Sequence, residues 1–183
     1  MNRLASPSQL RASLLRWALF LVPLVLLLGF LAGQLGGDAS SAWFQSLEKP
    51  AIFPPPATFG IVWSVLYAMM GLALAIVCAA WGSRARGWAI GFFVAQLAVN
   101  LTWSPVFFGQ HQIAAAFYII VAMIVLAAIT TVLFFRVRKW AGVLMLPYLA
   151  WIVFAAVLNW QFLQLNPSAD ATGETGAVQS FEL

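Results

Sequence analysis

Five apolar runs, at about residues 17–35, 59–81, 88–108, 113–135 and 140–165, leave this chain little choice of fold. Each is close to the roughly 20 residues that an α-helix needs to cross a bilayer. None contains Asp, Glu, Lys, Arg or His. Backbone in hydrocarbon has to satisfy its own hydrogen bonds, and a single apolar run of this length does so as a helix. The expected fold is all-α: a polytopic membrane protein, one bundle of five transmembrane helices. The chain is 63% hydrophobic and 8% charged, with a mean hydropathy of +0.94, so no soluble domain is left over. Residues 1–16 read as a basic cytoplasmic extension and 17–166 as the transmembrane domain, with a long lid loop at 36–57. Residues 167–183, which carry Asp170, Glu174 and Glu182, read as a polar tail expected to be disordered.

The net charge of +4 is a topology signal rather than a nucleic-acid footprint. Arg3, Arg11 and Arg16 precede the first run, Arg84 and Arg86 separate the second from the third, and Arg136, Arg138 and Lys139 separate the fourth from the fifth. The other side has Lys49 alone. The positive-inside rule places the N-terminus in the cytoplasm and the C-terminus outside. The first run is longer than a signal-peptide core and no clear A-x-A site follows it, so it reads as a retained helix. Cys78 is the single cysteine, which excludes an intrachain disulfide and a thiolate metal cluster. His111, the single histidine, sits in the polar break at 109–112 and reads as a loop residue at the membrane surface. No metal site is expected.

The third run carries the most unusual pattern. Gln96, Asn100, Trp103 and Phe107 share one helical face. A carboxamide in hydrocarbon is costly without a partner, so this face has to point into protein or into a ligand cavity. About 150° round the helix lies a small-residue stripe, Gly87, Gly91, Ala95 and Ala98, suited to close contact with another helix. The second run repeats the aromatic face with Trp63, Tyr67, Met70 and Leu74, and the fifth with Tyr148, Trp151, Ala155, Asn159 and Phe162. Trp63, Trp103 and Trp151 lie well inside their runs, where an interfacial aromatic belt does not explain them. Spacing alone leaves two readings: a polar-aromatic pocket, or helix packing with amides as glue. Gly29-x-x-x-Gly33-x-x-x-Gly37 on the first run is a further, weaker packing signal. The loop at 36–57 holds Trp43, Phe44, Lys49, Pro50, Pro54, Pro55 and Pro56, so it should be semi-rigid. It is either a cover over a cavity mouth or part of the belt.

Three ordered blocks resemble the TspO/MBR family of tryptophan-rich sensory and translocator proteins. The first is Lys49-Pro50, Pro54-Pro55, Phe59-Gly60, Trp63 and Leu66-Tyr67, similar to the family's K-P-x-W-x-P-P…F-G-x-x-W-x-x-L-Y pattern. The second runs over 96–109, and the third comprises Pro147-Tyr148, Trp151, Leu158-Asn159 and Leu165-Asn166. The resemblance implies five helices around a ligand pocket, usually in a homodimer. It implies tetrapyrrole ligands such as protoporphyrin IX and haem, or sterol-like and drug-like molecules, and no obligatory cofactor. The pocket positions it carries over are Trp63, Gln96, Asn100, Trp103, Trp151 and Ala155, with Asn159 one turn beyond. Phe44 stands where many members have tyrosine, while Ile52 and Ala57 replace frequent aromatics, so the lid is less aromatic than usual. The tyrosine and basic residue of the animal sterol motif are absent from 160–166, which favours a bacterial-type tetrapyrrole binder. A bacterial cytoplasmic membrane suits a helical bundle, with the outer membrane as the alternative.

The leading functional expectation is a receptor or sensor for tetrapyrroles. The alternatives are a light- and oxygen-dependent porphyrin-degrading enzyme, with Trp63 and Trp151 as reactive indoles, and a passive transporter. The runs contain no acid–base set, so any such chemistry would rest on the ligand's own photochemistry. Their lack of charge argues against ion coupling.

Overall fold

The computed structural model of the chain describes residues 6–37 and 39–170. Most of the polar tail, residues 171–183, lies outside them. The elements are α1 (Pro7–Gly36), α2 (Ala42–Ser46), α3 (Pro56–Cys78), α4 (Arg86–Ser104), a π-helical turn (Pro105–Gly109), α5 (Ile113–Val137) and α6 (Lys139–Leu165). All but α2 are long and apolar enough to cross a membrane, with the π turn completing the α4 span.

Several boundaries differ from the apolar runs, each for a local reason. α1 begins at Pro7 rather than near 17, so Arg11 and Arg16 lie on the helix instead of ahead of it. Ser6 starts it with a capping box: its Oγ accepts from Gln9 N at 3.3 Å and its N donates to Gln9 Oε1 at 2.9 Å. Pro7 follows at the first helical position, where no backbone N–H is needed. α3 starts at Pro56, inside the expected loop, and stops at Cys78. The chain then turns, and Trp81 is left exposed with the Arg86 guanidinium 4.2 Å from its ring centre. α4 loosens at Pro105, which has no N–H to donate, and Gln110 N reaches back five residues to Pro105 O at 2.9 Å.

Round the bundle the neighbours run α1, α3, α6, α5, α4 and back to α1. The half nearest Arg84 and Arg136 is solid. Met70, Ala73, Phe93, Phe134 and Met145 are fully buried there, and Phe93 stacks on Phe134 at 5.7 Å. Glycines set the close approaches. A Cβ on Gly71 would lie 2.7 Å from Val22 Cα and 3.0 Å from Leu21 O, so α1 rests directly on α3 backbone. Gly29 and Gly36 are used the same way, against the Tyr67 ring and the Ser104–Pro105 backbone. Gly29 and Gly36 of α1 therefore serve packing within the protomer, whereas a Cβ on Gly33 would meet nothing. On α4, by contrast, Gly87, Gly91, Ala95 and Ala98 are all exposed, and a Cβ on either glycine would meet nothing.

The loop at 36–57 is a folded cap on the opposite end. Ser41 Oγ accepts from Phe44 N at 3.3 Å to start α2, and Lys49 Nζ donates to the carbonyls of Phe44, Gln45 and Leu47 at its end. Phe44 is buried among Phe53, Phe107, Phe108 and Phe162, with ring centres 5.3–6.2 Å away. Trp43 stacks on His111 at 4.3 Å, and His111 takes a positive φ of 56° in the turn before α5. Asn166 ties the cap down. Its Oδ1 accepts from Glu48 N at 2.8 Å and its Nδ2 donates to Glu48 O at 2.9 Å. The start of the expected tail is also docked, since Asp170 accepts from Ala114 N at 3.3 Å in the first turn of α5.

Two outcomes follow. Gly71→Ala and Gly71→Leu should lower thermal stability in detergent progressively, the leucine by about 1–3 kcal/mol from overpacking. Wild-type melting of Gly71→Leu would mean that α1 is free to move off α3. Asn166→Ala should remove both hydrogen bonds to the cap, worth about 1 kcal/mol each, together with the one to Phe162 O, and speed hydrogen exchange across residues 42–53. Unchanged exchange there would show that the aromatic cluster alone holds the cap.

Candidate functional site

Below the cap the bundle is hollow. A cavity of about 740 Å³ takes lining from all five transmembrane helices and from the loop. Its walls come from the cap-side half of each helix: Gly29 and Phe30 of α1, Phe59 and Trp63 of α3, Asn100 and Trp103 of α4, Ile120 and Met123 of α5, and Trp151 and Ala155 of α6. Between α1 and α3, Gly33, Gly60 and Ser64 both line the cavity and are exposed, so it opens sideways there. Among the described residues, none that lines the cavity is Asp, Glu, Lys, Arg or His.

The aromatic rings are held by one another. Trp63 stacks on Tyr67 at 5.2 Å, Trp103 on Phe107 at 4.9 Å, and Phe59 meets Trp151 edge-on at 5.8 Å. The π turn keeps Phe107 against Trp103 and lets the neighbouring Phe108 also face the cavity.

Two polar networks hold the carboxamides. Trp103 Nε1 donates to Asn159 Oδ1 at 3.2 Å, and Asn159 Nδ2 donates to Ile113 O at 2.9 Å, which links α4, α6 and α5. Tyr67 OH donates to Asn100 Oδ1 at 2.7 Å, Asn100 Nδ2 to Tyr148 OH at 3.3 Å, and Tyr148 OH to Gln96 Oε1 at 2.8 Å, which links α3, α4 and α6. Gln96 Nε2 and Trp151 Nε1 are buried without a partner.

The residues singled out from the sequence fall into three groups. Phe44, Trp63, Tyr67, Asn100, Trp103, Phe107, Trp151, Ala155 and Asn159 line the cavity. Gln96 and Tyr148 do not. Both are fully buried one turn further towards the solid half, behind Asn100. The reason is helical rise: Gln96 shares the face of Asn100 but sits about 6 Å along the axis, where the neighbouring helices have already closed. Lys49, Pro50, Pro54 and Pro55 also lie outside the lining; they build the cap, and Lys49 ends α2.

Sequence reasoning missed three contributions. Most of the α1 wall escaped because the run 17–33 is uniformly apolar and gives no contrast between its faces; Gln34, at its end, was the one polar mark. Ile120 and Met123 of α5 escaped for the same reason. Phe53 escaped because it sits in a loop, where no periodicity points; it packs on Phe44, Phe59 and Phe162 and lines the cavity. It supplies an aromatic next to Ile52, where the family resemblance suggested one was lacking.

Comparison with known proteins agrees with this architecture. The TspO/MBR family model matches residues 20–165. A tryptophan-rich sensory protein of Cereibacter sphaeroides is 39% identical over 157 residues, covering 82% of this chain and 92% of its own. The tryptophan-rich protein TspO of Chlorobaculum tepidum is 37% identical over 147 residues, covering 80% and 93%. The translocator protein of Ovis aries is 35% identical over 140 residues, covering 75% and 83%. With that match over most of its length, five membrane-spanning helices and the three sequence blocks meeting under one cap, this chain is an integral membrane protein that belongs to the TspO/MBR family.

Proposed function

We propose that the chain is a membrane receptor or sensor that binds tetrapyrroles, protoporphyrin IX or haem, or related flat hydrophobic molecules in this cavity, and thereby regulates their level or signalling. The observation that carries the reading is the ring of Trp63, Trp103 and Trp151 around a cavity of about 740 Å³ whose described lining residues are uncharged. That volume falls within the range of small-molecule sites. Flat indole faces favour a flat π-system, and a few amides and hydroxyls can meet its polar edge. The carboxylate arms of a porphyrin would leave by the opening between α1 and α3, where Gln34 and Ser64 give a polar rim. Among the described residues the lining offers no Asp, Glu, Lys, Arg or His, and its tyrosine hydroxyl is engaged with Asn100, which favours a binder over acid–base catalysis. Illuminating the protein with bound protoporphyrin IX separates the two, because a binder returns the pigment intact.

The proposed orientation follows the cations, with Arg84, Arg86 and Arg136–Lys139 in the cytoplasm and the cap and C-terminus outside, in a bacterial cytoplasmic membrane. The proposed assembly is a homodimer through the exposed Gly87, Gly91, Ala95 and Ala98 stripe of α4.

Porphyrin affinity, read by tryptophan quenching, tests the cavity. Trp151→Phe should weaken binding by about 1 kcal/mol, a fraction of the contact a stacked aromatic makes. Ala155→Phe should weaken it more, by filling space. Trp140→Phe, at an exposed ring far from the cavity, should change nothing. Equal affinities in all three would place the porphyrin on the surface. For the dimer, Gly91→Leu with Ala95→Leu should shift the protein towards monomer in detergent, and an unchanged elution profile would put the contact elsewhere.

A further inference from the structure

The two polar networks differ in one respect that bears on the ligand. Asn159 is locked. Its oxygen accepts from an indole N–H and its nitrogen donates to a main-chain carbonyl, and neither partner can exchange roles. The chain Tyr67–Asn100–Tyr148–Gln96 is not locked. Its members are two hydroxyls, which both donate and accept, and two carboxamides, which exchange N and O on a half-turn. Its far end is loose as well, since Gln96 is fully buried with Nε2 unpartnered.

In the arrangement described above, every bond runs from Tyr67 towards Gln96. The Tyr67 proton is committed to Asn100, so the hydroxyl has only lone pairs left for the cavity that Tyr67 lines. Turning both carboxamides by 180° gives the same three contacts in the opposite sense. Gln96 then donates to Tyr148, Tyr148 to Asn100, and Asn100 to Tyr67, and the Tyr67 proton is free. The atom left unpartnered at the far end changes from the Gln96 nitrogen to its oxygen, so neither sense is fully satisfied and neither is strongly preferred.

We propose that this chain is a reversible hydrogen-bond relay, with Gln96 as the positioning residue that sets its sense, and that the sense decides whether Tyr67 offers the ligand an acceptor or a donor. The inference rests on the cavity being a ligand site and specifies how that site tolerates ligands of opposite polarity. A ligand with a carbonyl at its edge draws the Tyr67 proton and reverses the chain. A ligand with an N–H there keeps the original sense. The cost of the change falls on Gln96, one turn behind the wall and in contact with no ligand.

Carbazole, whose one polar group is an N–H donor, and fluorenone, whose one polar group is a carbonyl acceptor, are flat tricycles of nearly the same shape. Their binding to the full chain in nanodiscs, corrected with empty nanodiscs, gives an affinity ratio. Wild type should bind both within a few-fold. Gln96→Met keeps the side-chain volume but removes the acceptor that Tyr148 needs, which leaves Tyr148 only Asn100 to donate to. Carbazole should then weaken about five- to tenfold, the worth of one neutral hydrogen bond, while fluorenone holds or tightens. In a Tyr148→Phe background, which cuts the relay, adding Gln96→Met should leave the ratio unmoved. As a readout that needs no Gln96 variant, the carbonyl stretch of bound fluorenone should lie lower in wild type than in Tyr67→Phe. An unmoved ratio in Gln96→Met, a shift that survives Tyr148→Phe, or an unshifted stretch would each overturn the relay and leave the cavity reading standing. Failure of both tricycles to bind above empty nanodiscs would overturn the cavity reading and the relay with it.

Discussion

A carboxamide surrounded by hydrocarbon must find a hydrogen-bond partner, and the interior of this bundle is organised around meeting that requirement. Asn100 and Gln96 on α4 find theirs in two tyrosines, one from α3 and one from α6. Asn159 on α6 finds its own in an indole of α4 and the first carbonyl of α5. These bonds join four helices at two heights. Generic packing of leucine and valine fixes neither rotation nor register in lipid, where apolar side chains gain little by leaving the solvent for one another. The amides fix both, and with them the height at which the bundle stops being solid.

That height divides the molecule. Towards the basic end, glycine and alanine let backbones approach and large side chains fill what is left, as at Gly71 under Val22 and at the Phe93–Phe134 stack. Towards the cap the helices part, and aromatic rings stack in pairs along the walls rather than interdigitating across the centre. The Tyr67–Asn100 pair marks the boundary. Along the stripe on α4 the surroundings change with level: Asn100, Trp103 and Phe107 line the cavity, while Gln96 is packed. α1 is the least enclosed of the five helices, and its cap-side half closes the cavity incompletely.

The helix count, the all-α class and the inward faces of α3, α4 and α6 were legible because lipid makes a polar side chain inside a run conspicuous. The same contrast failed where no polar residue was present. Gly29 and Phe30 in the α1 wall and Ile120 and Met123 of α5 carry no mark that separates them from lipid-facing neighbours. The beginning of α1 was hidden by the opposite bias: the apolar run starts at Trp17, but the capping box at Ser6–Gln9 was present and outranked hydropathy. The cap was legible as stiff, from its prolines, but not as folded. Its anchors are the buried Phe44, the partly buried Phe53 packed against it, and the side chain of Asn166, which is 118 residues away from the backbone it holds. Contacts at that separation have no local signature.

An uncharged, aromatic-lined cavity also limits how selective its owner can be. Buried apolar area contributes about 25 cal/mol per Å² whatever the ligand's identity, so any flat molecule of suitable size gains most of its affinity without directional contacts. Discrimination is left to a few neutral hydrogen bonds of about 1 kcal/mol each. Asn159 is already engaged within the protein and Gln34 and Ser64 sit at the exposed rim, so the Tyr67–Asn100 pair is the polar spot deeper inside. If the cavity holds a ligand as proposed, such a fold keeps its frame while its ligand preference changes with one or two polar substitutions.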